Sequence, residues 1–187
     1  MGKLLDSCRA IHLAYFSRPS ADRVIYRAIR KAPVKRILEL GMHDGLRTRR
    51  MLDLVRRTRG VGNLCYTGID LFESSPRSDS ARLSLKHAHC MLQPTGGRIR
   101  LVPGDPFAAL SRAANSIGEC DLIVVSADQA GESLERAWFY FPRLMHAATL
   151  VYVGQPGEGP ATVRFTLLEH DKIRQQANAG TPRRTAA

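Results

Sequence analysis

From Val34 to Gly154 the chain alternates short apolar runs with stretches of helical periodicity, and no other feature limits the fold as much. "VKRILEL" (34–40), "NLCYTGID" (63–70), "GRIRLVPGD" (97–105), "CDLIVVSAD" (120–128) and "ATLVYVG" (148–154) read as strands. "LRTRRMLDLVRRT" (46–58), "SARLSLKHAHCML" (80–92), "PFAALSRAAN" (106–115) and "GESLERAWFYFPRLM" (131–145) read as helices. The strand runs show little polar alternation, as expected when helices cover both faces of a sheet. Strands that take turns with helices imply βαβ units, a parallel sheet and right-handed crossovers.

The flanks are less regular. Residues 1–33 precede the first strand and read as one or two helices. After Gly154 comes the Gly/Pro-rich "GQPGEGP", then "ATVRFTLLEHDKIRQQAN", then the polar tail "AGTPRRTAA". In the middle segment "TVRFTLL" fits either a sixth strand or the start of a helix running through Gln176. The chain therefore divides into an N-terminal helical segment (1–33), a ligand-binding α/β domain (34–154) and a C-terminal extension (155–187) that is partly disordered. At 187 residues and 44% hydrophobic the chain suits one domain with a substantial core. No apolar run approaches the ~18 residues that span a bilayer, and Asp6, Arg9 and His12 interrupt any signal-peptide pattern at the N-terminus. Cys8, Cys65, Cys90 and Cys120 form no CxxC pair and read as reduced thiols of a cytoplasmic protein.

The junction "ILELGMHDGLRTRRML" (37–52) carries the chemistry. A strand, a glycine turn and a helix start make a ligand junction in open α/β sheets, at the carboxyl ends of the strands. Gly41 and Gly45 allow a sharp turn and a close approach to a ligand. Glu39 ends the strand. Asp70 ends the next one, 25 residues beyond Gly45, near the spacing at which an acid binds ribose hydroxyls. The spacing G-x-x-x-G is not the dinucleotide fingerprint. Asp44 inside it would repel a pyrophosphate and attract a positive centre, which points to S-adenosylmethionine.

These features resemble the class I S-adenosylmethionine-dependent methyltransferases over about Val34–Gly154. "RILELGMHDGLRT" is similar to that family's first motif, "YTGIDLFE" to its second-strand motif and "RIRLVPGDPFAAL" to its third-strand segment. The block from Cys120 to Gly154 is similar to a subfamily that carries D-G-D-H after its fourth strand. The resemblance implies a Rossmann-like three-layer sandwich, with a mainly parallel sheet of five to six strands in the order 3-2-1-4-5, truncated at its C-terminal edge. It implies S-adenosyl-L-methionine as cofactor. By position Glu39, Gly41 and Gly45 shape the methionine end of the site, and Asp44 faces donors there. Thr48 supplies a hydroxyl in the first helical turn, Asp70 binds the ribose, Asp105 flanks the adenine, and Asp128 lies beside the methyl. Metal-dependent members hold a cation through an aspartate where this chain has Ser126, and through an Asp-Asn pair where it has Gly154 and Gln155. Gln129 stands in place of the subfamily's histidine. The expectation is therefore methyl transfer without a metal, with His43 and Asp128 as the catalytic candidates and His43 as general base.

Two other readings stay open. One is an inactive protein on the same fold that serves as a binding or regulatory partner. The other is a basic RNA-binding protein, since the net charge is +11 and Arg47, Arg49, Arg50, Arg56, Arg57 and Arg59 crowd one helix. The plainer account of that cluster is a solvated face. A small-molecule substrate or other acceptor, a second copy or a partner chain are the expected partners, and a membrane is not. On a helix His87 and His89 diverge by roughly 200°, so "KHAHC" does not chelate a metal.

Overall fold

In a computed structural model that describes residues 2–60, 62, 64–74, 83–157 and 163–179, the core of the sheet is β1 (Arg36–Leu40). β1 runs parallel to β2 (Cys65–Asp70) on one side and to β4 (Cys120–Val125) on the other. β3 (Arg98–Pro103) extends the sheet beyond β2, and β5 (Met145–Pro156) extends it beyond β4, both in parallel. β6 (Val163–Leu167) closes the far edge antiparallel to β5, giving the order 3-2-1-4-5-6. The expected five-strand order is present with one strand added at the edge. The "TVRFTLL" segment is thus a strand, followed by a separate helix. The tail from Gly180 lies outside the described residues.

The central strands are buried on both faces, and their alternate residues feed two layers. Ile37, Tyr66, Leu122 and Val124 face one layer, with α1 (Gly2–Tyr15), α2 (Arg23–Lys31), α3 (Leu46–Arg59) and α4 (Leu85–Leu92). Leu38, Leu40, Ile69, Ile123 and Val125 face the other, with α5 (Pro106–Ile117), α6 (Glu132–Ala137) and α7 (His170–Ala179). This is the expected three-layer sandwich, and both N-terminal helices belong to one of its layers.

The helix expected over 131–145 is shorter. α6 ends at Ala137, and residues 138–144 continue as 3₁₀ turns. Pro142 lacks an amide hydrogen, clashes with an α-helical carbonyl four residues back and disfavours α geometry at Phe141, so the tighter helix takes over.

Candidate functional site

The strand order reverses between β1 and β4, whose following helices, α3 and α6, lie on opposite faces of the sheet. A cavity of about 460 Å³ opens there. Its wall comes from residues 42–44 of the first loop, Leu46 and Arg47 of α3, residues 126–128 after β4, residues 19–22 ahead of α2, and Val163 and Phe165 of β6. Of the sequence-predicted residues, His43, Asp44 and Asp128 line this cavity. Glu39, Thr48, Asp70 and Asp105 do not.

Below the cavity lies a buried polar network. Glu39, fully buried, accepts hydrogen bonds from Arg47 Nε (2.7 Å), Thr48 Oγ1 (2.6 Å) and Tyr66 Oη (2.7 Å). The same guanidinium donates through Nη2 to the Gly41 carbonyl (2.7 Å) and to Ser126 Oγ (2.5 Å). The Phe165 ring packs beneath it at 5.1 Å. Burial works against the Arg47 charge, but Glu39 and Asp22 outweigh it and hold the arginine's pKa above its usual range. Burial and the Glu39 charge push the Tyr66 phenol far above its usual value. Glu39 therefore anchors an arginine, and Thr48 bonds Glu39. Arg47 was read with the solvated arginines of α3. It turns inward because Glu39 gives it a buried counter-ion.

The first loop is braced from below. The Asp70 carboxylate accepts from the amides of Met42 (2.6 Å) and His43 (3.3 Å) through Oδ2, and from Phe72 N (3.3 Å) through Oδ1. It is 4% exposed. Gly41 and Gly45 adopt φ of 84° and 72°, which glycine tolerates at no steric cost. Both glycines lie close to other parts of the protein. A Cβ at Gly41 would sit 2.8 Å from Ser126 Cβ, and one at Gly45 would sit 2.4 Å from the Met91 methyl. Asp44 Oδ1 accepts from Leu46 N (3.0 Å), which fixes the start of α3. Asp105 was expected at an adenine. It caps α5, accepting from Phe107 N and Ala108 N (both 3.1 Å) and from the Ser133 hydroxyl.

Facing the cavity, His43 Nε2 lies 3.2 Å from Asp128 Oδ1. The contact with Asp128 raises the imidazole pKa above its ordinary value, and partial burial opposes that only in part. His43 holds a left-handed backbone at φ 53°, a conformation uncommon outside glycine and often found at functional sites. Asp22 is the site residue that sequence reading missed. Burial lifts its carboxyl above the usual range, against the pull of Arg47. It reaches the cavity from the N-terminal helical segment, and no periodicity in the sequence marks it.

No protein-family model matches the chain, and no curated protein is similar to it. Solved structures are. The O-methyltransferase of Bacillus cereus, solved with S-adenosylhomocysteine, superposes at a TM-score of 0.53 with 16% identity, over 82% of this chain and 63% of its own. CalS11, a calicheamicin methyltransferase, superposes at 0.57 with 13% identity, over 88% of this chain and 91% of its own. A TehB-like S-adenosylmethionine-dependent methyltransferase of Corynebacterium glutamicum gives 0.51 and 18%, over 96% of this chain and 82% of its own. This chain spans less than two thirds of the length of the Bacillus enzyme. The fold is that of the class I S-adenosylmethionine-dependent methyltransferases.

Proposed function

We propose that the chain is an S-adenosylmethionine-dependent methyltransferase that works without a metal on a small-molecule or other acceptor. The observation that carries this reading is the cavity wall at the strand switch point, which holds three carboxylates, Asp22, Asp44 and Asp128, beside His43 and an Arg47 whose charge Glu39 offsets. A ligand with a sulfonium and an ammonium suits that wall, and a pyrophosphate is repelled by it. When bound, S-adenosylmethionine supplies an electrophilic methyl group. The chain's own residues orient the acceptor and move a proton. Neutral His43 takes the proton of a hydroxyl or amine acceptor, and Asp128 stabilises the resulting imidazolium. Positioning of this kind can account for several kcal/mol of a barrier. Ser126 and Gln129 in place of the metal-dependent family's aspartate and histidine support the metal-free reading.

One observation favours a non-catalytic binding protein instead. The Arg47 guanidinium, which lines the cavity, already holds the buried Gly41 carbonyl just below it, so that acceptor is taken before a ligand ammonium arrives. Isothermal titration of the purified protein with S-adenosylmethionine and S-adenosylhomocysteine separates the two readings. The methyltransferase reading expects micromolar binding of the sulfonium ligand, with Asp128→Asn and Asp44→Asn each weakening it more than they weaken the uncharged thioether. No binding at millimolar ligand would leave the non-catalytic reading.

A further inference from the structure

A second concavity, of about 910 Å³, lies on the helical face between α1, α3 and the turn after α4. Six arginines line it, Arg9, Arg18, Arg49, Arg50, Arg56 and Arg57, against one carboxylate, Asp53. Arg56 and Arg57 bond that carboxylate at 2.8 Å each, Arg9 lies 3.8 Å from it, and Arg57 also pairs with Asp6, which leaves Arg18, Arg49 and Arg50 without a carboxylate partner among these contacts. The remaining charge of the groove is therefore strongly positive. Arg9, Arg18 and Arg49 are exposed, while Arg50 Nη1 donates to the Arg18 carbonyl and ties the loop after α1 to α3.

The lining is not only charged. Phe16 stands at the groove with 66% of its surface exposed, stacked on His12 at a centroid distance of 6.1 Å and 26° between planes. A phenylalanine so exposed beside arginines offers a ring face to a planar ligand. Leu46, Met91 and Pro94 add an apolar floor. Arginines that neutralise phosphates, interleaved with an aromatic platform for unpaired bases, are the two requirements of single-strand binding. A second copy of this chain would bring its own net charge of +11 to the same surface and be repelled.

We propose that this groove binds a single-stranded nucleic acid, its phosphates on the arginines and a base on Phe16. The groove lies next to the cavity of the candidate site. Leu46 borders both, and the chain passes from Phe16–Arg18 in the groove to residues 19–22 at the cavity. The proposal does not depend on cofactor binding.

The test is fluorescence anisotropy of the full chain with a labelled dodecauridine RNA at about 50 and about 200 mM salt. The expected result is binding that weakens steeply with salt, by a slope of about −0.7 per phosphate contact. Arg18→Glu with Arg49→Glu should weaken it at least about ten-fold and flatten the slope by more than one unit. Phe16→Ala should weaken it about ten-fold with the slope unchanged. Arg18→Ala with Arg49→Ala repeats the test more mildly, with circular dichroism to confirm the fold. Lys172→Glu with Arg174→Glu on α7 changes net charge equally and should leave affinity within about two-fold. The proposal is overturned by absent or salt-insensitive binding, by an equal loss in the α7 control, by tighter binding of a duplex of the same length, or by binding to phosphatidylserine vesicles with none to the RNA.

Discussion

At the scale of single residues the site turns on two carboxylates with different tasks. Glu39 is fully engaged by Arg47, Thr48 and Tyr66, whereas Asp128 meets a histidine that is almost half exposed. The histidine of the second pair is the group suited to change protonation in the physiological range. Asp128 raises the His43 pKa, so the pair favours the imidazolium, and the neutral base accumulates only as pH rises through that raised value. Any stability gained from this charge is full below the unfolded value of about 6.5 and fades as pH rises through the folded one. Water screens the exposed ring, so the main consequence is for proton transfer. Asp128→Asn should bring the His43 midpoint down toward the ordinary value, read from the imidazole nitrogen shifts in an NMR titration. A midpoint unmoved by the substitution would show that the pair does not set the histidine's charge. His43, Asp44 and Asp128 were legible as site residues because each lies in a loop that the strand pattern places at the sheet's switch point. Asp22 and Arg47 were not, because what places them is a neighbour distant in sequence.

At the scale of elements, side chains assigned to a ligand by position often hold an element's end. Asp105 is the clearest case, since a β-region aspartate directly before a proline-led helix is an N-cap by local rules alone. Burial pushes its carboxyl up, but Ser133 and the amides of Ala108 and Phe107 outweigh that and hold its pKa below the usual range. Asp105→Ala should cost about 1 kcal/mol in chemical denaturation, and Asp105→Asn less, because asparagine also caps well. The carboxylate's share of stability is present above the unfolded pKa of about 3.9 and disappears as pH falls through the lower folded value. Asp105→Asn should therefore flatten the acid limb of the stability curve. An unchanged acid limb would argue that the cap bonds do not form in solution. Asp70 follows the same logic one element earlier, since its bonds to Met42, His43 and Phe72 make it the brace of the first loop.

At the scale of the whole molecule, the segments outside the repeating pattern complete it. α1 and α2 pack on α3, β6 pairs along β5, and α7 lays Ile173, fully buried, into the same cluster as Phe141 and Leu144. Ile173→Ala should cost about 3 kcal/mol and lower the single unfolding transition as a unit. A separate early transition would mean that α7 melts independently of the sheet. Among the described residues no helix is long and apolar enough to cross a membrane. The sequence by itself determined the layered α/β sheet, because burial of strands on both faces needs unbroken apolar runs and the covering helices need a 3.6-residue period, and both patterns are local. The position of the glycine junction follows in the same way, because a glycine loop between a strand and a helix is a local signal. Only the tertiary structure decided which acids face the cavity. Glu39 turned toward Arg47, Asp70 toward the amides of a loop across the strand order, and Asp22 arrived from a helix outside the pattern. Those choices depend on which buried donors each carboxylate meets, and buried polar groups settle on their partners only once the layers have packed.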